Sequence, residues 1–193
     1  LYGEPFQKYA DNFELYLDPA AEHQIKLRRK NFTPPTSGNI DMTSMTADEA
    51  QLTIRAALAA GFTEIKLTGE LSKTGIGGNW GTFINNKKIT KCDLTGVTDW
   101  GRTPTLPDAA FSNCTALQEV TLPDDMKVIG TGAFSGCAAL TTVNLSQVTW
   151  INLNAFWGCT SLETLALDNV TAIGQEAFYG CTGLETLKIP KCT

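Results

Sequence analysis

Four phrases decide the reading of this chain: Ala110–Leu122 AFSNCTALQEVTL, Ala133–Leu145 AFSGCAALTTVNL, Ala155–Leu167 AFWGCTSLETLAL and Ala177–Ile189 AFYGCTGLETLKI. Their phenylalanines, Phe111, Phe134, Phe156 and Phe178, are spaced 23, 22 and 22 residues apart. Cys114, Cys137, Cys159 and Cys181 keep that step, as do Leu117, Leu140, Leu162 and Leu184. A fixed period of this length marks a solenoid, in which each unit buries its apolar side only by stacking on its neighbours.

One unit suffices to predict the coil. In Ala133–Leu145 the pair Ala133-Phe134 makes a short helical or 3₁₀ turn with the ring inward. Gly136 permits the reversal, and Cys137 and Leu140 point in. Val143-Asn144-Leu145 is then a short strand with alternate residues facing the core. Stacking predicts a parallel sheet of six strands at 65–67, 92–94, 120–122, 143–145, 165–167 and 187–189. Return segments carry Val128-Ile129-Gly130, Trp150-Ile151 and Ala172-Ile173-Gly174. Gross burial per unit is on the order of 10 kcal/mol at ~25 cal/mol/Å². Chain entropy cancels most of it, so no unit is expected to stand alone.

Working outward, Thr46-Ala-Asp-Glu49 has the form of a capping box. A helix is expected through Ala50, Leu52, Ile54, Ala57 and Leu58, stopped by Gly61 and covering the open end of the stack. Phe62-x-x-Ile65-x-Leu67 and Ile89-x-x-Cys92-x-Leu94 match the strand spacing loosely. Gly75-Ile-Gly77-Gly78-Asn-Trp80-Gly81 departs from a dinucleotide-binding fingerprint, because Trp80 falls at the third glycine and no helix pattern follows; an ordinary loop or hairpin is expected. Near the start, Phe6, Tyr9, Ala10, Phe13, Tyr16 and Leu17 lie at helical spacing, while Phe13, Leu15 and Leu17 also alternate as a strand would. The helical reading, with a second helix from Asp18-Pro19 to about Lys30, is taken here. The resulting division is an N-terminal, helical segment and linker over 1–38 and a repeat domain over 39–193. The latter comprises a capping helix at 46–61, degenerate repeats at 62–109 and regular repeats at 110–193.

Composition narrows the function classes. A net charge of −5 argues against nucleic acid as a partner. No apolar run reaches the ~18–20 residues of a membrane span. The opening LYGEPFQKYA has no apolar h-region and reads as a mature segment whose targeting signal lay upstream. Four of the six cysteines share one slot of successive repeats and are expected as reduced, buried thiols, with a bridge between neighbouring coils as the alternative. No cofactor or metal is expected: His23 stands without ligands at zinc spacing, and Asp124-Asp125 is too few oxygens for calcium. Nor is catalysis, with one histidine, no nucleophile elbow and no H-E-x-x-H. The cluster Lys26, Arg28, Arg29, Lys30 reads as a solvated helix end.

The phrase A-F-x-x-C-x-x-L-x-x-V-x-L-P, with I-G before the next A-F, resembles the Treponema-type leucine-rich repeats of BspA-like bacterial surface proteins. The proline is kept at Pro123 and Pro190 and replaced by Ser146 and Asp168. The resemblance implies an α/β leucine-rich repeat solenoid, a short right-handed arc with a parallel β-sheet on its concave face. It also implies an exported, cell-surface or extracellular protein with an adhesion-type role toward protein or glycan. On that face the outward strand positions form columns, Glu64, Lys91, Glu119, Thr142, Thr164, Thr186 and Lys66, Asp93, Thr121, Asn144, Ala166, Lys188. Glu119, Thr121, Thr142, Asn144, Thr164, Thr186 and Lys188 are the candidate ligand-binding residues, against the plain alternative that threonine suits an exposed strand. Trp157 and Tyr179 share one slot and form a candidate aromatic patch, or pack on the turn; Trp80 and Trp100 are open in the same way. The competing function is a structural spacer or assembly unit without its own ligand, with end-to-end self-association through the C-terminal edge strand.

Overall fold

The protein is described by a computed structural model covering residues 13–17, 25–29, 35–70 and 82–191. The chain divides into two compact units, 1–34 and 35–193. The first contains β1 (Phe13–Leu17) and β2 (Ile25–Arg29), antiparallel, with Phe13 opposite Arg29 and Leu17 opposite Ile25. This corrects the helical expectation for the segment: over Phe13-Glu-Leu-Tyr-Leu17 the period of two wins over the period of 3.6. His23, the 75–81 loop with Trp80, and Cys192 lie outside the described residues.

In the second unit β3 (Asn39–Asp41) leads into α1 (Ala47–Ala59), which returns to β4 (Glu64–Glu70) beside β3 in parallel. The start of α1 is the expected capping box: the Glu49 N–H donates to Thr46 Oγ1 (3.3 Å), and the Thr46 N–H donates to Glu49 Oε2 (2.9 Å). At its end Gly61 adopts φ 95°, the Gly61 N–H bonds Leu58 O and the Phe62 N–H bonds Ala57 O, a Schellman closure. Ala50, Ile54, Ala57 and Leu58 bury one face of the helix. The strand β3 was not foreseen, so α1 is a crossover between parallel strands rather than a cover over the end of the sheet.

Three ladders run along the stack. The larger sheet is five parallel strands in the order β3, β4, β5 (Lys91–Thr98), β7 (Glu119–Thr121), β9 (Thr142–Val143). The return segments form a second parallel sheet, β6 (Thr105–Leu106), β8 (Val128–Ile129), β10 (Trp150–Ile151) and β11 (Ala172–Ile173). At the corner between them each coil makes consecutive turns. There Phe111 N–H donates to Ala133 O (2.7 Å), Phe134 N–H to Ala155 O (2.8 Å) and Phe156 N–H to Ala177 O (2.8 Å). No helix among the described residues is long and apolar enough to cross a membrane.

The core is a column of rings. Phe83, Phe111, Phe134, Phe156 and Phe178 stack with centroids 5.2, 5.6, 5.1 and 5.4 Å apart. Phe83 extends the column one coil beyond the four regular phrases. Thr82–Leu94, TFINNKKITKCDL, aligns with AFSNCTALQEVTL position for position, with Thr82 in the alanine slot and Asn86 in the cysteine slot. Asn86 Oδ1 accepts from the Lys88 and Ile89 N–H groups, both at 2.8 Å. Two residues after each ring the backbone is left-handed: Asn85 φ 62°, Asn113 58°, Gly136 73°, Gly158 70°, Gly180 74°. Only glycine and asparagine enter that conformation readily, which is why this slot alternates between them.

The thiols sit beneath the rings. Cys114 Sγ donates to Phe83 O (2.8 Å), Cys137 to Phe111 O (3.0 Å), Cys159 to Phe134 O (3.2 Å) and Cys181 to Phe156 O (3.0 Å). The five described cysteines are free. Burial pushes Cys114 up to about 12 and raises Cys92 and Cys137 further; its hydrogen bond with Cys181 and its burial raise Cys159. Protonated thiols with a bond to donate are what a buried carbonyl column needs.

Candidate functional site: the outward face of the larger sheet

The columns read from the sequence are the registers of the larger sheet as far as β9. Glu64, Lys91, Glu119 and Thr142 lie in line, as do Lys66, Asp93 and Thr121. Their charges alternate in sign. Lys66 Nζ is 2.7 Å from Asp93 Oδ2, and Lys91 Nζ lies 3.9 Å from Glu64 and 3.7 Å from Glu119. Burial works to raise the Asp93 carboxyl, but its bonds with Lys66 and with the Thr95 hydroxyl and N–H outweigh it and hold the group below the ordinary carboxylate value. Here Asn39, Glu64, Lys66, Lys91, Asp93, Glu119 and Thr121 line a pocket of about 290 Å³. Ile65 and Cys92 complete the lining, and each of its charged side chains faces an opposite charge.

The sheet stops at Val143. The expected strands at 165–167 and 187–189 do not form: no backbone hydrogen bond joins residues 163–167 to the coil before or after them, nor 185–189 to 163–167. The same coils remain bonded elsewhere, through β10–β11, Gly158 N–H to Tyr179 O (2.8 Å), and Asn169 Nδ2 to Ser146 O (2.7 Å). Where the ladder lapses there is a groove of about 720 Å³, lined by Thr141, Thr160, Ser161, Glu163, Thr164, Thr182, Gly183, Glu185 and Thr186. Gly183 is required there, since a Cβ on it would meet Thr160 O at 2.5 Å.

The seven candidate residues therefore separate. Glu119 and Thr121 belong to the charged pocket, and Thr142 continues the column of Glu119. Thr164 and Thr186 are exposed and line the groove, while Lys188 is exposed and lines neither cavity. Asn144 is half-buried with its amide spent on backbone: Oδ1 accepts from the Leu122 N–H (2.6 Å) and Nδ2 donates to Leu122 O (2.9 Å). Its amide closes the ladder where β9 ends, which makes it a scaffold residue. The groove carboxylates Glu163 and Glu185 were missed because they occupy the slot before the outward strand positions, where the other regular repeats have Gln118 and Thr141.

Trp157 and Tyr179 stack, with centroids 6.2 Å apart and planes at 16°, and both are exposed, 42% and 63%. They pack on each other and leave their outer edges to solvent. Trp100 is a core residue, 7% exposed, whose Nε1 donates to Val97 O at 2.9 Å. Among the described residues no group of three or more His, Cys, Asp or Glu is placed to hold a metal ion.

Coils of 22 to 23 residues, a parallel sheet on one side and an inward leucine, cysteine and phenylalanine in each coil define a leucine-rich repeat solenoid. Residues 82–193, more than half of the chain, match the BspA type leucine-rich repeat region in six copies, and the chain belongs to that family. Among curated proteins no relative matches. Solved structures similar to it are bacterial. The leucine-rich repeat protein TpLRR of T. pallidum is 28% identical over 52% of this chain and 46% of its own, with a TM-score of 0.44. A leucine-rich repeat protein of Bacteroides ovatus is 23% identical over 93% and 40%, with a TM-score of 0.47. A leucine-rich cell surface protein of Faecalibacterium prausnitzii is 18% identical over 91% and 52%, with a TM-score of 0.42. The chain thus spans about half or less of the length of each.

Proposed function

We propose that this is a non-catalytic binding module, displayed at the cell surface or outside the cell, that recognises protein or glycan through the outward face of its larger sheet. The observation that carries the reading is the division of labour along each coil. The phenylalanine, cysteine and leucine of each phrase are committed to packing and the asparagine or glycine slot to the turn, while the outward strand positions, left free of those tasks, hold both cavities. Family membership and the surface location of one structural neighbour support the setting. The test is saturable binding of the purified chain to arrays of matrix proteins and glycans, repeated with Thr142→Arg/Thr164→Arg/Thr186→Arg. Binding lost in the triple variant supports the reading; absence of any saturable binding, or binding untouched by the variant, removes it.

A further inference from the structure

We propose that the groove along residues 163–167 and 185–189 receives an extended polypeptide segment carrying a lysine or arginine, whose cation is held between Glu163 and Glu185. The inference rests on the binding-face reading above and gives that face a ligand chemistry.

Two independent features lead to it. The first is the backbone. From Glu163 to Leu167 and from Glu185 to Ile189 the N–H groups have no backbone partner, although Thr171 and Ala172, further round the first of these coils, both donate to Thr149 O. Neighbouring segments with unpaired N–H groups can be met by an extended chain, whose own N–H and C=O groups alternate in a periodic match at a ~3.3 Å rise. A sugar ring or a compact ligand lacks that periodic match.

The second is charge. Glu163 and Glu185 occupy the same slot of successive coils, both exposed and neither in an ion pair, and the groove lining contains no cation. The charged pocket differs on this point, because there each carboxylate has its lysine built in. Like charges in the same slot of successive coils repel unless a cation comes between them. Two carboxylates without a third ligand make a poor metal site, whereas one ammonium or guanidinium meets both with charge-assisted hydrogen bonds. The surrounding hydroxyls of Thr141, Ser161, Thr164, Thr182 and Thr186 suit a segment whose other side chains are small and polar.

The experiment is fluorescence anisotropy of the full chain with a labelled nonapeptide of alternating lysine and threonine, beside counterparts with glutamine or glutamate for lysine. The lysine peptide should bind saturably and the other two should not. Glu163→Gln/Glu185→Gln should weaken it about tenfold, while Asp124→Asn/Asp125→Asn, which removes the same charge from an exposed turn, should not. Equal binding of the glutamine peptide, or equal weakening by both double variants, overturns the proposal, the latter by showing diffuse electrostatics. Maltohexaose binding that depends on Glu163 and Glu185, with no lysine-peptide binding, also overturns it. If the lysine peptide fails while the triple arginine variant still abolishes array binding, the basic-segment proposal alone falls; if no binding depends on the face, both readings fall.

Discussion

The two halves of the outward face are made from the same strand slots and behave differently. From β3 to β9 the backbone ladder is closed and the side chains are ion-paired, so the face offers polar groups already matched to one another. Beyond Val143 the ladder lapses, the groove's charges are the carboxylates of Glu163 and Glu185, and hydroxyls line a larger cavity. The ring column, the thiol bonds and the corner turns run through both halves without interruption. A solenoid is thus held together by more than one ladder. One of them can be given up locally, which leaves its N–H groups without a backbone partner while the other ladders hold the coils together.

Substitutions ranked by expected size test that division. Phe134→Ala, in the middle of the ring column, should cost about 4 kcal/mol, while Phe178→Ala, at a partly buried ring, should cost about half as much; urea denaturation compares the two, and equal losses would mean that the last coil is as well supported as the central ones. Next comes Asn144→Leu, which strips the Leu122 N–H and C=O of both partners and should cost about 2 kcal/mol, against less than ~1 kcal/mol for Asn169→Leu, which removes two bonds whose partners, Ser146 O and Lys191 Nζ, are exposed. Lys91→Ala should cost less than ~1 kcal/mol and its effect should shrink with added salt, since both its pairs are exposed. Asp93 gives that half a pH signature. Its folded pKa is depressed, so it adds stability above its unfolded value near 3.8 that is lost as pH falls through the acid range. Asp93→Asn should flatten the acid limb of the stability–pH curve. Smallest is the corner shared by both halves: Ala109 and Glu176 hold φ 54° and 55° in the slot where Gly132 stands, so Ala109→Gly and Glu176→Gly should each gain up to about 1 kcal/mol.

Much of this was written in the repeats. The period placed the rings, the thiols and the columns, and the Thr46/Glu49 pair placed the helix start, because each rests on a local pattern with one geometric solution. What was missed had weaker local signals. Phe83 was legible, since Thr82–Leu94 fits the repeat once Asn86 is allowed in the cysteine slot. The antiparallel pair β1 and β2 depended on choosing between two periodicities in five residues. Two-residue return strands are too short for any period to show, and exist because neighbouring coils supply their partners. The end of the ladder at Val143 has no sequence counterpart at all: Leu165 and Leu187 fill the same slots as Val120 and Val143. The groove, and with it Glu163 and Glu185, emerges only in the folded chain.

Native-state hydrogen exchange resolved to single amides tests the two-halves account most directly. The account predicts slow exchange at Val120, fast exchange at Leu165 and Leu187, and slow exchange again at Phe156 and Gly158, which lie in the coils whose outward ladder is missing. Protection at Leu165 and Leu187 equal to that at Val120 would mean that the sheet continues through the last two coils, and would contradict it.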